Sequence, residues 1–167
     1  MTLITTEQKN LCKDIKSLLV NAKQTVAIAE TTTGGLISAL LLSETGASKY
    51  FLGGSVLYTY KIRDALIHFT KEEHKKYYGP KPELILEMSK KLKKQLPEAT
   101  WIIGEGGAAG PEASPYGQPA GYTAIAIYGP ITKTKVIETG LNDRIKNMEI
   151  FATESLKFFL EVLKEYN

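Results

Sequence analysis

The chain has 167 residues, 43% of them hydrophobic and 23% charged, with a net charge of +3 at pH 7. That length suits one domain able to bury about two thirds of the surface of its unfolded form. The slight positive balance points to no nucleic-acid partner, because the lysines of 71–76 and 90–94 lie on helical patterns without interleaved aromatics. No apolar run approaches membrane-spanning length and the N-terminus lacks the build of a signal peptide, so a cytoplasmic protein with no membrane partner is expected.

Thr5 and Gln8 fit a capping box, and Leu11, Ile15, Leu18, Leu19 and Ala22 recur with helical spacing, which predicts a helix over 6–23. Cys12 lies on its apolar stripe; as the only cysteine it excludes an internal disulfide and a cysteine-based metal cluster. A strand over 25–29 follows, then a loop of hydroxyls and glycines, then a helix over 34–43. Gly46-Ala47-Ser48 breaks the chain, and Ser55–Tyr60 reads as a strand after Gly53-Gly54. Short helices are predicted over 61–68 and 70–77, and a longer one over 82–95 that starts on Pro82. His68 and His74 have no partners at metal-ligand spacing, and no metal or cofactor is expected. Trp101-Ile102-Ile103 reads as a strand covered on both faces. A long glycine-rich loop over 104–121 leads to strands at 122–128 and 134–139, joined through Gly129-Pro130, and a helix over 143–165 closes the chain. Helices alternating with strands predict a single-domain, three-layer α/β/α sandwich with a mixed sheet.

Two segments are candidates for chemistry. Glu30-Thr31-Thr32-Thr33-Gly34-Gly35 turns a strand into a helix, the place where backbone N–H groups and a helix dipole favour an anion. It matches neither the GxxxxGK[ST] phosphate loop nor a dinucleotide GxGxxG. The second is the loop from Gly104 through Glu105, Gly107 and Gly110 to Gly121, which should open at the same sheet edge, where α/β proteins place ligands. Glu30 has an alternative reading as a cap of the following helix, Tyr58 as plain core, and the glycines as tight turns alone.

Together these segments resemble the CinA C-terminal domain family, the nicotinamide mononucleotide deamidases. Ala29–Gly35 stands where members carry AESCTGG, Gly46–Gly54 matches a GSSxYFLGG-like stretch, and Val56–Arg63 loosely matches VxYSNxxK. Gly106–Pro111 corresponds to TGIAGP, Gln118–Gly121 to KPVG, and Asp143-Arg144 to a GDR before the last helix. The resemblance implies metal-free hydrolysis of a carboxamide to carboxylate and ammonia on a small nucleotide-like substrate, by a homo-oligomer. It makes Thr31 the nucleophile and Tyr58 its helper. Thr32, Thr33, Gly34, Gly35, Lys61, Arg63 and the second loop, with Glu105, Gly107, Gly110 and Gly121, would hold the substrate.

The chain departs from that pattern at polar positions. Threonine replaces serine at 31, adding a methyl that restricts χ1. Arg63 replaces a lysine and stays protonated, so it holds anions but serves as no base. A hydroxyl is lost at Gly106 and a positive charge at Gln118, while Glu105 adds a carboxylate that reads either as a replacement base or as a group repelling phosphate. Three readings stay open: an amidohydrolase using Thr31, a catalytically impaired relative that binds a pyridine nucleotide or another phosphate ester, and a partner protein using its lysine-rich helices.

Overall fold

Thr5 opens the first helix, α1 (Thr6–Asn21), with its hydroxyl accepting from the Gln8 N–H while the Gln8 side chain accepts from the Thr5 N–H. This reciprocal pair satisfies two donors that a helix start leaves open. The computed structural model describes residues 4–167. In chain order follow β1 (Val26–Glu30), α2 (Leu36–Leu42), β2 (Phe51–Val56), α3 (Tyr60–Ile67), α4 (Lys71–His74), α5 (Pro82–Gln95), β3 (Trp101–Ala108), β4 (Tyr122–Tyr128), β5 (Thr132–Glu138) and α6 (Arg144–Tyr166). A single 3₁₀ turn, Ala47–Lys49, precedes β2.

The strands form one mixed sheet in the order β2-β1-β3-β4-β5, parallel across β2, β1 and β3 and antiparallel across β3, β4 and β5. Helices cover both faces, as the three-layer sandwich requires. Under α1, α2 and α6 the sheet presents bulky side chains: Val26, Ile28, Trp101, Ile103, Ile125 and Ile127. Under α5 it presents small ones, among them Ala27, Ala29, Ala124 and Ala126. Each large side chain fully buried here contributes about 1.5–3 kcal/mol. Cys12 belongs to the first core; burial, and then the charge of Glu44, push its thiol up to about 12, which makes it packing and not a nucleophile. No helix is long and apolar enough to cross a membrane.

Small residues explain two of the boundaries that differ from the sequence reading. Gly53-Gly54 lies inside β2, not before it, because α2 packs so closely that a Cβ at Gly54 would collide with the Ser38 hydroxyl. The strand therefore starts at Phe51 and ends at Val56, and Tyr58 stands in the connection to α3. Likewise Gly104–Ala108 is the second half of β3 and not loop. A Cβ at Gly106 would sit 2.5 Å from Ile85 Cδ1, and Gly104 lies beneath Ile85 and Ser89, so these glycines let α5 approach the sheet. The loop proper begins at Ala109.

Candidate functional site

Two carboxylates fix the shape of the loop between β1 and α2. Glu30 is fully buried and accepts hydrogen bonds from the N–H groups of Ile37 and Ser38 and from the hydroxyls of Ser38 (2.6 Å) and Thr33 (2.5 Å). It occupies the start of α2, whose cap residue Gly35 takes φ 100° and offers no side chain of its own. Glu105, reaching across from β3, is also fully buried. It accepts from the N–H groups of Thr31 (3.2 Å) and Thr33 (3.1 Å) and from the hydroxyls of Thr32 and Thr123. The Thr33 hydroxyl stands 3.0 Å from Glu105 as well, but it carries one proton and donates to one carboxylate only. Burial pushes the Glu105 carboxyl above its ordinary value, against the hydrogen bonds from Thr32, Thr33, Thr123 and Thr31 that pull it down.

The opposite wall comes from the segment after β2. Thr59 caps α3, and Arg63, one turn in, turns its side chain back beneath the connection. Its Nε donates to the Leu57 carbonyl at 2.7 Å and an Nη to the Tyr58 carbonyl at 3.3 Å; the other Nη lies 3.0 Å from His74 Nε2. Arginine only donates, so His74 Nε2 accepts and the imidazole is neutral with its proton on Nδ1. Burial, and then the Arg63 charge, hold His74 below its ordinary value. Burial also lowers the guanidinium, to about 10, which still leaves a cation at neutral pH. Arg63 is only 7% exposed and forms no ion pair with a carboxylate among the described residues.

Between the walls opens a cavity of about 320 Å³ that touches Thr31, Thr32, Tyr58, Arg63, His74 and Gly107. A second lobe of about 460 Å³ shares Thr32, Tyr58 and Gly107 and reaches Gly110 and Arg144, which donates to the Gly110 carbonyl. The Thr31 hydroxyl makes no hydrogen bond to another described residue, and it is not among atoms sealed from solvent. Tyr58 is 56% exposed at the rim. Thr31, Tyr58, Thr32, Arg63 and Gly107 thus line one lobe, and Gly110 lines the other.

The remaining expected site residues do not line either lobe. Glu30 caps a helix and Glu105 staples the hydroxyl loop, so neither carboxylate is a cavity group. Thr33 is fully buried between them. The Gly34 N–H donates to the Thr31 carbonyl, and Gly34 and Gly35 take positive φ in the turn. Gly121, at φ 86°, lets the chain pass against Thr139 and Leu141, away from the cavity. Lys61 is exposed on α3 and touches neither lobe. Sequence reasoning passed over His74, whose only signal was its position among aromatics and lysines. It also missed that Gln118 accepts from Ser114 and donates to the Tyr78 carbonyl, tying two loops together.

The family model described as the CinA C-terminal domain matches residues 8–163. A CinA-like protein of Prochlorococcus marinus strain MIT 9301 is 35% identical over 79% of this chain and 31% of its own length. One from Desulforapulum autotrophicum is 31% identical over 92% of this chain and 36% of its own. The chain therefore spans about a third of the length of these curated relatives. Among solved structures, a CinA superfamily protein from Escherichia coli superposes with TM-score 0.87 at 21% identity, covering 97% of this chain and 94% of its own. The competence/damage-inducible protein CihA from Agrobacterium tumefaciens gives 0.88 at 21%, over 98% and 99%. At that identity the likeness is one of fold.

Proposed function

The chain belongs to the CinA C-terminal domain family, and from that premise we propose that it is an amidohydrolase converting the carboxamide of nicotinamide mononucleotide to a carboxylate with release of ammonia. The observation that carries this reading is the Thr31 hydroxyl: unpartnered among the described residues, it lies in the same cavity as Tyr58 and the unpaired cation of Arg63. Attack by Thr31 Oγ1 on the carboxamide carbon gives a tetrahedral oxyanion. Loss of ammonia leaves a threonyl ester, and water hydrolyses it to the acid and the free hydroxyl. The backbone hydrogen bonds to Glu105 on either side of Thr31 hold the nucleophile's main chain rigid, which favours a fixed angle of attack. Arg63, cationic throughout, supports negative charge on the substrate or on the oxyanion and takes no proton.

One observation favours a second reading, a non-catalytic relative that binds a phosphate ester. Both carboxylates near Thr31 are spent on the loop, and no carboxylate lines the lobe that holds Thr31 to accept its proton; Glu112 lines only the second lobe, which Thr31 does not reach. Ammonia release from nicotinamide mononucleotide, measured for the wild type beside Thr31→Ala and Thr31→Ser, separates the two. Release by the wild type that disappears in Thr31→Ala is the expected result. Silence of the wild type with activity in Thr31→Ser would mean the added methyl blocks attack. Release undiminished in Thr31→Ala would remove Thr31 from the reaction.

A further inference from the structure

Beyond Arg63 and His74 lies a third hollow, of about 260 Å³, walled by Tyr60, Tyr78, Tyr116, Lys71 and Lys75. Tyr60, His74 and Tyr116 line it and the Thr31 cavity alike, so the Arg63–His74 pair stands at the junction of the two. Neither hollow has an acidic residue in its wall. Lys71 Nζ lies 5.1 Å from the centre of the Tyr60 ring, and Lys75 pairs with Glu72 at 3.0 Å. Tyr78 and Tyr116 are 71% and 52% exposed, and Lys81 Nζ lies 5.9 Å from the centre of the Tyr78 ring, so the outer hollow pairs exposed aromatic surface with positive charge.

The two exposed rings are not on loose chain. Gly79 takes φ 77°, and a Cβ there would stand 2.6 Å from Gln118 Oε1 and 2.8 Å from the Tyr116 Cβ, so the two loops touch at this glycine. Gln118 donates to the Tyr78 carbonyl at 3.1 Å, and the Tyr116 N–H donates to the Ser114 hydroxyl at 3.2 Å. Meanwhile Arg63 has more N–H donors than the three acceptors the protein gives it, and its charge is uncompensated. From the Thr31 end outward the order is therefore a polar ring-sized cavity, a cation with spare donors, and a tethered group of tyrosines beside a lysine. By itself each hollow sits at or below the low end, about 300 Å³, of ordinary ligand pockets; joined, they exceed it.

We propose that this site takes a dinucleotide: a carboxamide-bearing ring at Thr31, the bridging phosphates on Arg63 at the junction, and a second base stacked among Tyr60, Tyr78 and Tyr116. The inference rests on the functional reading above for the first ring only. A mononucleotide fills the first cavity and the junction and leaves Tyr78, Lys71 and Lys75 of the outer hollow untouched. Stacking of the second base makes the dinucleotide at least about fivefold tighter.

Calorimetric titration of the full chain with nicotinamide mononucleotide and with NAD tests this. The expected result is tighter binding of NAD, and a preference that collapses to near unity in Tyr78→Ser and, separately, in Lys71→Gln. Both side chains are exposed and line only the outer hollow, and either variant whose circular dichroism stays native suffices. NAD binding no tighter than the mononucleotide, or a preference unmoved by both variants, overturns the dinucleotide site and leaves the mononucleotide reading standing. Binding of neither overturns both.

Discussion

Thr31, Thr32 and Thr33 are held on one side of the cavity by two fully buried carboxylates that between them accept from seven N–H or hydroxyl groups of the loop and its helix, and from one of β4. On the other side Arg63 and His74 are held by two carbonyls and by each other, with exposed tyrosines around them. The first wall is over-determined and carries the unpartnered Thr31 hydroxyl; the second carries an uncompensated charge. Rigid placement suits a nucleophile, which must keep its angle, whereas a buried cation lacking a carboxylate suits a group that is completed by its ligand. Removing a staple should therefore unfold the first wall, while removing the cation should mainly change what the second wall binds.

The largest effect is expected at Glu105. Glu105→Ala leaves the Thr31 and Thr33 N–H groups and the Thr123 hydroxyl without their acceptor in a sealed interior, at a cost of about 3–5 kcal/mol of unfolding free energy. Glu105→Gln keeps an acceptor for the two N–H groups and gives the Thr32 and Thr123 hydroxyls a donor they can accept, so its loss should stay near about 1 kcal/mol. Urea denaturation of both variants checks this, and equal losses would show that charge, not hydrogen bonding, is what the loop requires.

The walls should also answer pH in opposite senses. Glu105 is raised in the folded protein, so the folded state binds the extra proton above the ordinary value of 4.5, and stability falls as pH rises from there to the raised native value. His74 is lowered from 6.5, so the unfolded state binds the extra proton, and stability that is complete above 6.5 is lost as pH falls through the native value. Each slope is at most about 1.4 kcal/mol per pH unit. Denaturation at a series of pH values should show the falling limb disappear in Glu105→Gln and the rising limb disappear in His74→Gln. Persistence of either limb in its own variant would assign it to other groups.

The strand, hydroxyl loop and helix of 25–43 were legible because residue order alone carries a β-to-α change of period. The two glycine pairs were not. Gly53-Gly54 and Gly106-Gly107 read as breaks, yet they lie within strands; at Gly54 and Gly106, α2 and α5 need bare backbone to pack upon, a contact between segments distant in sequence. The same distance hid the role of Glu105. Nothing near position 105 announces that its carboxylate ends beneath Thr31–Thr33, so a residue read as facing the ligand is the support of a loop whose Thr31 and Thr32 line the cavity. Thr31, Tyr58 and Arg63 line one cavity, but the partner that fixes Arg63, a histidine on another helix, has no local signature.

The smallest effect concerns that histidine, and it probes the second wall most directly. Burial is the larger cause of the lowered His74 and the Arg63 charge the lesser. In Arg63→Met the charge goes while Phe69, stacked at 6.1 Å, continues to cover the ring. The imidazole should then titrate higher than in the wild type but still below 6.5, as followed by NMR through its ring protons, with His68 as the only other histidine. Adding inorganic pyrophosphate to the wild type should move His74 in the same direction, because an anion at the junction offsets Arg63 without removing it. Pyrophosphate that shifts His74 in the wild type and leaves it still in Arg63→Met would locate the anion on Arg63. An imidazole indifferent to both changes would mean the cation at the junction is already neutralised, and the second wall would no longer differ from the first.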